Sequence, residues 1–335
     1  MNLDLYRKIL LSFACLTAGV FLFSGTLITK AASGGQGLTI SPPISELTIK
    51  PGESITKDIK LTNPTDKVIT VTPKVMDFKA KGESGEPAFY DASVEDSRYS
   101  LSKWITFTQT EIALTPQQVV DFKYSISAPS SAEPGGHYGV VFFAADQNTP
   151  QENSSSVTLN SMVGSLLLVK VPGDISENAV LDSFFANQFI YFGGDPKIDT
   201  VVRNLGNIHF KPQGEILIKN MLGNESGKLT VNDQGGNVLP DSARKFENVW
   251  QDNKFHLGLY TAMVHLTYGN FGKTLDGSLT FLIIPWWILV IMIIVLAIII
   301  GLIIWLLIRR RRRKKASRNA PPSPPQTPPG KVILR

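Results

Sequence analysis

Through most of the chain, apolar residues recur at every second position and are interrupted by Pro, Gly, Asn and Asp, a pattern that predicts half-buried strands of antiparallel sheets. Ile55, Ile59 and Leu61 share one parity; beyond the turn at Asn63, Pro64, Thr65 and Asp66, a second strand carries Ile69, Val71 and Val75. Val120, Phe122, Tyr124 and Ile126 alternate again, whereas Val140 to Ala144 is apolar at both parities, as in a central strand covered on both faces. The second half follows the same grammar. Ile198, Thr200 and Val202 lead into a turn at Asn204 to Asn207, then Ile208 and Phe210; Tyr260, Ala262, Val264 and Leu266 alternate, and Leu279 and Phe281 close the pattern. The expected fold is all-β, with two immunoglobulin-like antiparallel β-sandwich domains and one C-terminal transmembrane helix.

The two ends break this alternation. Arg7 and Lys8 precede an apolar stretch from Ile9 to Ile28 and small residues at Thr29 and Ala31, which reads as a signal peptide over residues 1–31 cleaved after Ala31. An uncleaved anchor helix is the alternative, since the stretch is long for a signal. Trp286 to Ile308 carries no charge and is long enough to cross about 30 Å of hydrocarbon as a helix. Trp286 and Trp287 sit where an interfacial aromatic belt belongs. Arg309, Arg310, Arg311, Arg312, Arg313, Lys314 and Lys315 follow as a positive cytoplasmic stop, so the expected topology is single-pass in the cell membrane, N-terminal domains outside. The tail over 309–335 is basic and Pro-rich.

That layout reinterprets the formal net charge of +5. Between Ala32 and Pro285 there are 20 Lys and Arg against 27 Asp and Glu, so the exported part is acidic and the basic run is a topology signal, not a nucleic-acid patch. The only cysteine, Cys15, lies in the signal. No disulfide can staple the exported domains, which points to a bacterial surface protein.

Two landmarks repeat in the halves: a strand ending in Asn (Thr62–Asn63 and Arg203–Asn204) and a Gly-x-Tyr opening a late strand (Gly136 to Tyr138 and Gly258 to Tyr260). They suggest a duplicated sandwich, with Tyr138 and Tyr260 as corner tyrosines whose hydroxyls bond to nearby backbone. The domain boundary is expected at Pro172, giving a first sandwich over 32–172 and a membrane-proximal one over 173–285, with Gln147 to Ser156 an internal loop.

Catalytic chemistry finds little support. His256 and His265 are an odd number of residues apart, His137 and His209 are isolated, and no nucleophile elbow, metalloprotease helix or phosphate-cradling loop is present. Glu83, Glu86, Asp91, Glu95 and Asp96 lack the spacing of a cation loop, so neither metal nor cofactor is expected. Phe89, Tyr90, Tyr99 and Trp104 crowd the same acidic, turn-rich insertion and are the candidate binding residues; Trp104, entering a strand with Ile105, suits the sandwich edge better.

These residues resemble the WxL-interacting proteins of Gram-positive bacterial surfaces. The resemblance covers about residues 37–171 through Ile40 to Pro43, Pro51 and Gly52, Leu61 to Asn63, Ser102 with Trp104 and Ile105, and Pro134 to Gly139. It continues more sparsely at Val202 to Gly206 and Gly258 to Tyr260. It implies a non-enzymatic, membrane-anchored scaffold or adhesion protein whose first domain binds peptidoglycan or a wall-associated partner and whose second contacts proteins. Two alternatives stay open: a chaperone-like accessory subunit of a secretion or pilus system, and a surface sensor that uses the tail as output.

Overall fold

The structure, a computed structural model, describes residues 37–95, 97–146, 161–252 and 255–318. The expected signal peptide, the loop from Gln147 to Ser156 and the Pro-rich end of the tail lie outside the described residues.

In the first sandwich, β1 (Thr39–Ser41), β2 (Ile44–Thr48), β3 (Ser54–Thr62), β4 (Ile69–Ala80), β5 (Pro87–Tyr90), β6 (Ile105–Thr106), β7 (Ile112–Leu114), β8 (Val119–Ser127), β9 (Gly135–Asp146) and β10 (Ser161–Val171) form two sheets. One runs β1-β3-β8-β6 and the other β2-β10-β9-β4-β5, with β7 also on β4. The second sandwich contains β11 (Ala179–Ala186), β12 (Ile190–Tyr191), β13 (Lys197–Asn204), β14 (Gln213–Asn220), β15 (Glu225–Val231), β16 (Ala243–Val249), β17 (Gly258–Tyr268) and β18 (Lys273–Ile283). Its sheets run β11-β13-β16 and β12-β18-β17-β14-β15.

The two orders superimpose strand for strand, and in each sandwich a short strand, β2 or β12, pairs parallel to the last one. The first sandwich merely adds β6 and β7. Each has its own core: Ile59, Leu61, Phe122, Val141, Phe143 and Leu167 in the first, Ile198, Val202, Ile216, Ala262, Val264 and Phe281 in the second. The alternation in the sequence is therefore the inward parity of the two facing sheets.

The repeated Asn has a physical reason. Asn63 and Asn204 are fully buried at equivalent strand ends. The Asn63 amide donates to the carbonyls of Leu114 and Thr115 at 3.0 Å and to Lys67 at 2.7 Å, while its oxygen accepts from the Thr65 N–H at 3.0 Å. Asn204 does the same, donating to Ile208 at 2.8 Å and Val238 at 3.0 Å and accepting from Gly206 at 2.8 Å. One side chain thus satisfies loop backbone that burial would otherwise orphan.

Beyond β18, α1 (Trp286–Arg318) leaves the sandwich. Its 25-residue portion Trp286–Arg310 contains an 18-residue stretch with a mean hydropathy of 3.5 and no burial against the protein. At 1.5 Å per residue it is about 37 Å long, enough to cross a membrane.

Candidate functional site

A sheet face that looks away from its own core is normally polar, but the β2-β10-β9-β4-β5 sheet carries large apolar residues on its outer side as well. Along β9, Val141 and Phe143 point to the core, while Tyr138, Val140 and Phe142 point out and are buried as well. Leu168 lies opposite Tyr138, Leu166 opposite Val140, and Phe89 opposite Phe78 on the same outer face. This face divides into a covered and an open half.

The covered half packs on the second sandwich. Phe78, Tyr138 and Leu168 make a small buried cluster with Tyr99, Leu166 and Leu239. The Tyr138 hydroxyl accepts the His209 backbone N–H at 3.1 Å and lies 3.1 Å from its ring Nδ1, to which it donates when the imidazole is neutral. Burial lowers the His209 pKa to about 4 and pushes that of Tyr138 well up, so both are neutral at pH 7 and the donor–acceptor pair is matched. Around them Tyr99 donates to Asp241 at 2.8 Å, Gly136 N–H to the Asn207 carbonyl at 2.8 Å, and Lys245 N–H to the Glu83 carbonyl at 2.8 Å. Glu46 takes Lys211 at 2.7 Å and the Asn237 amide at 3.0 Å. The junction is apolar at its centre and polar at its rim.

Beside the cluster a cleft of about 260 Å³ opens between the sandwiches, lined by Phe78, Pro87, Leu166, Leu168, Leu239 and Arg244. The Arg244 guanidinium lies between Gly85 and Gly236, where a Cβ would come within 2.4 and 2.5 Å of it. Its Nη1 donates to the Asn237 carbonyl at 2.9 Å, and desolvation lowers its pKa. Past the cleft the open half begins. Phe142 lies over Gly164, and Phe89, 41% exposed, meets it edge-on at 4.7 Å between ring centroids. Ile44 and Met162 are exposed nearby on the same face.

The candidate residues of the aromatic insertion separate. Phe89 belongs to the open face. Tyr90 ends β5 with the Lys79 ammonium 5.4 Å from its ring centroid. Tyr99 is bound into the junction, and burial together with Asp241 raises its pKa to about 12. Trp104 ends a 3₁₀ turn (Ser102–Trp104), packs on the first core and meets the His137 ring at a tilt, 4.3 Å between centroids. That turn is held by the buried Asp77 carboxylate, which accepts from Leu101 N–H at 2.9 Å, Ser102 N–H at 2.7 Å, Ser102 Oγ at 2.9 Å and the Ser100 hydroxyl.

The two Gly-x-Tyr motifs occupy equivalent strands but act differently. Tyr260 is buried and bonds locally, to His256 Nδ1 at 3.3 Å and to the Leu257 N–H, with Gly258 in a positive-φ conformation. The expectation of a local bond at Tyr138 is corrected: its hydroxyl crosses to the second sandwich, over Gly136, where any Cβ would stand 2.0 Å from it. His209, read as isolated, is the other half of that contact. Among the described residues no group of His, Cys, Asp or Glu could hold a metal ion. Of the run Arg309 to Lys315, Arg309 sits 5.2 Å from the ring centroid of Trp305, one turn earlier in the helix.

No family model and no curated relative matches the sequence. Among solved structures the chain is similar to the class 5 fimbriae chaperone CfaA, at 12% identity over 74% of this chain and 100% of that one, with a TM-score of 0.37. It is also similar to the E. coli chaperone DraB, at 14% identity over 73% and 96% with a TM-score of 0.34, and to the Pseudomonas aeruginosa CupB2 chaperone, at 8% over 71% and 97% with a TM-score of 0.34. Alignments this distant carry no argument about function.

Proposed function

We propose that the protein is a non-enzymatic, single-pass scaffold of the bacterial cell surface that holds two docked sandwiches outside the membrane and presents the first to another surface protein. The observation that carries this reading is the outer face of the β2-β10-β9-β4-β5 sheet, where the second sandwich covers the cluster of Phe78, Tyr138 and Leu168 but Ile44, Phe89 and Met162 stay exposed. Monomeric proteins seldom leave such a face open without a partner. Exposed Ile44, Phe89 and Met162 offer aliphatic and aromatic contacts around the buried Phe142, with Lys74 and Thr72 beside them, which suits a protein segment better than a hydroxyl-rich wall polymer. The junction with Tyr138, His209 and Glu46 holds that face fixed relative to the second sandwich, as a scaffold requires.

The test is binding of the full chain, reconstituted in bilayer discs, to surface-protein extracts and to purified wall sacculi. Ile44→Asp combined with Phe89→Asp should cut retention of the extract partner at least tenfold with an unchanged melting midpoint. Retention by protein-free sacculi would assign the face to peptidoglycan instead. Undiminished binding by the double variant would remove the face from the account.

A further inference from the structure

The base of the second sandwich carries a feature that the membrane anchor alone does not require. Three separate loops end there. β12 and β18 run parallel with Tyr191 beside Ile283, and the pairing continues as Ile284 N–H to the Tyr191 carbonyl at 2.8 Å and Trp286 N–H to the Phe192 carbonyl at 2.9 Å. Gly258, which opens β17, lies opposite Ile283, and Asn220, which ends β14, lies opposite Tyr260. The β12 loop, the β14–β15 turn and the segment before β17 therefore share the end from which α1 emerges. Each displays large apolar side chains to solvent: Phe189 and Phe192 on the first, Met221 and Leu222 (78% exposed) on the second, Phe255 (62% exposed) and Leu257 on the third. Phe255 also touches Trp287 in the first turn of the helix, their ring centroids 5.7 Å apart.

We propose that these six side chains form a collar that sits in the interfacial layer of the lipid bilayer around the point where α1 enters it. The inference rests on the reading of α1 as a membrane span. Given that span, height leaves little choice: the Phe192 carbonyl is hydrogen-bonded to the span's first residue, so the loop that bears it lies at the level of Trp286 and Trp287, where aromatic residues mark the membrane–water boundary. Apolar side chains held at that level sink into the headgroup and upper acyl region, not into water. Asp195, exposed on the same loop, fits the headgroup layer and sets a limit on depth. The opposite end of the sandwich provides the contrast, since Phe271, 87% exposed on the turn between β17 and β18, stands a full strand length away. With helix and collar both engaged, the sandwich cannot swivel freely on its short link to α1, so the open face of the first sandwich keeps a set bearing to the membrane.

The experiment uses the full chain with Cys15→Ser, carrying single nitroxide labels through Leu222→Cys, Phe255→Cys, Phe271→Cys or Leu302→Cys. The variants are reconstituted in vesicles of zwitterionic and anionic phospholipid, and collision rates with oxygen and with a water-soluble nickel chelate report depth. The expected result is a deep label at 302, labels about 5–10 Å into the interface at 222 and 255, and a fully aqueous label at 271. A deep label at 302 with 222 and 255 as aqueous as 271 overturns the collar and leaves the span intact. An aqueous label at 302 overturns the span and the collar together.

Discussion

Mild acid should loosen the junction between the sandwiches through one side chain, His209. In the folded protein its imidazole is mostly buried against Tyr138, and desolvation lowers its pKa to about 4 from an ordinary 6.5; Glu46 favours the proton, while Lys211 and Lys170 oppose it. Protonation would also replace the Nδ1 acceptor opposite the Tyr138 hydroxyl with a second donor. The unfolded chain therefore takes up the proton first. Stability is complete above about pH 6.5 and is lost as pH falls toward 4, with a ceiling of about 3 kcal/mol from 2.5 pKa units and roughly 2 kcal/mol already gone at pH 5. Burial shifts His137 in the same direction, so it adds to the slope and has to be separated from it. Urea unfolding of residues 37–285 at pH 7, 6 and 5, in the native sequence and in His209→Asn, makes that separation: asparagine keeps an acceptor near the Nδ1 position but does not titrate. The native protein should lose about 2 kcal/mol more than the variant between pH 7 and pH 5. Parallel pH profiles would refute the assignment of the junction's acid sensitivity to His209.

Further predictions concern single hydrogen-bonding groups. Tyr138→Phe should cost about 1–3 kcal/mol by urea unfolding, because it leaves the His209 N–H buried without an acceptor, whereas Tyr260→Phe should cost only about 1 kcal/mol. Asp77→Ala should cost about 3 kcal/mol or more and loosen the Ser102–Trp104 turn, read as faster amide exchange at Leu101 and Ser102; a loss below 1 kcal/mol would show that water replaces the carboxylate. Asn63→Ala and Asn204→Ala should each cost about 2 kcal/mol or more, and by similar amounts, since each amide serves equivalent loops of two like sandwiches.

Much of the fold was legible because sandwich strands write their parity into the chain. Ile59 and Leu61, Phe122 and Ile126, Val264 and Leu266 all face inward as their alternation requires. The repeated Asn and Gly-x-Tyr marked equivalent strands: an amide that spans two loops of its own sandwich, and a glycine that at position 136 clears space for the ring two residues on and at position 258 takes a positive φ. What escaped was contact across the junction. Tyr138 and His209 are 71 residues apart and Tyr99 and Asp241 are 142, distances over which no periodicity links two positions. The sequence offered Phe89, Tyr90 and Tyr99 as binding candidates with Trp104 at the sandwich edge, yet of these only Phe89 lies on the open face, and Tyr99 holds the two sandwiches together. A usable signal was present nearby: Val140 and Phe142 are apolar on the parity opposite Val141 and Phe143, which implies a second surface to be covered.

The most direct test of the scaffold reading is photo-crosslinking in intact cells, with a photoreactive amino acid at position 89 on the open sheet face and, as control, at position 119, where Val119 is exposed on the other sheet. The account predicts a discrete protein adduct from position 89 that is absent from position 119 and is lost when Ile44→Asp is added. Equal labelling from both positions, or an adduct from position 89 that carries glycan and no polypeptide, would contradict it.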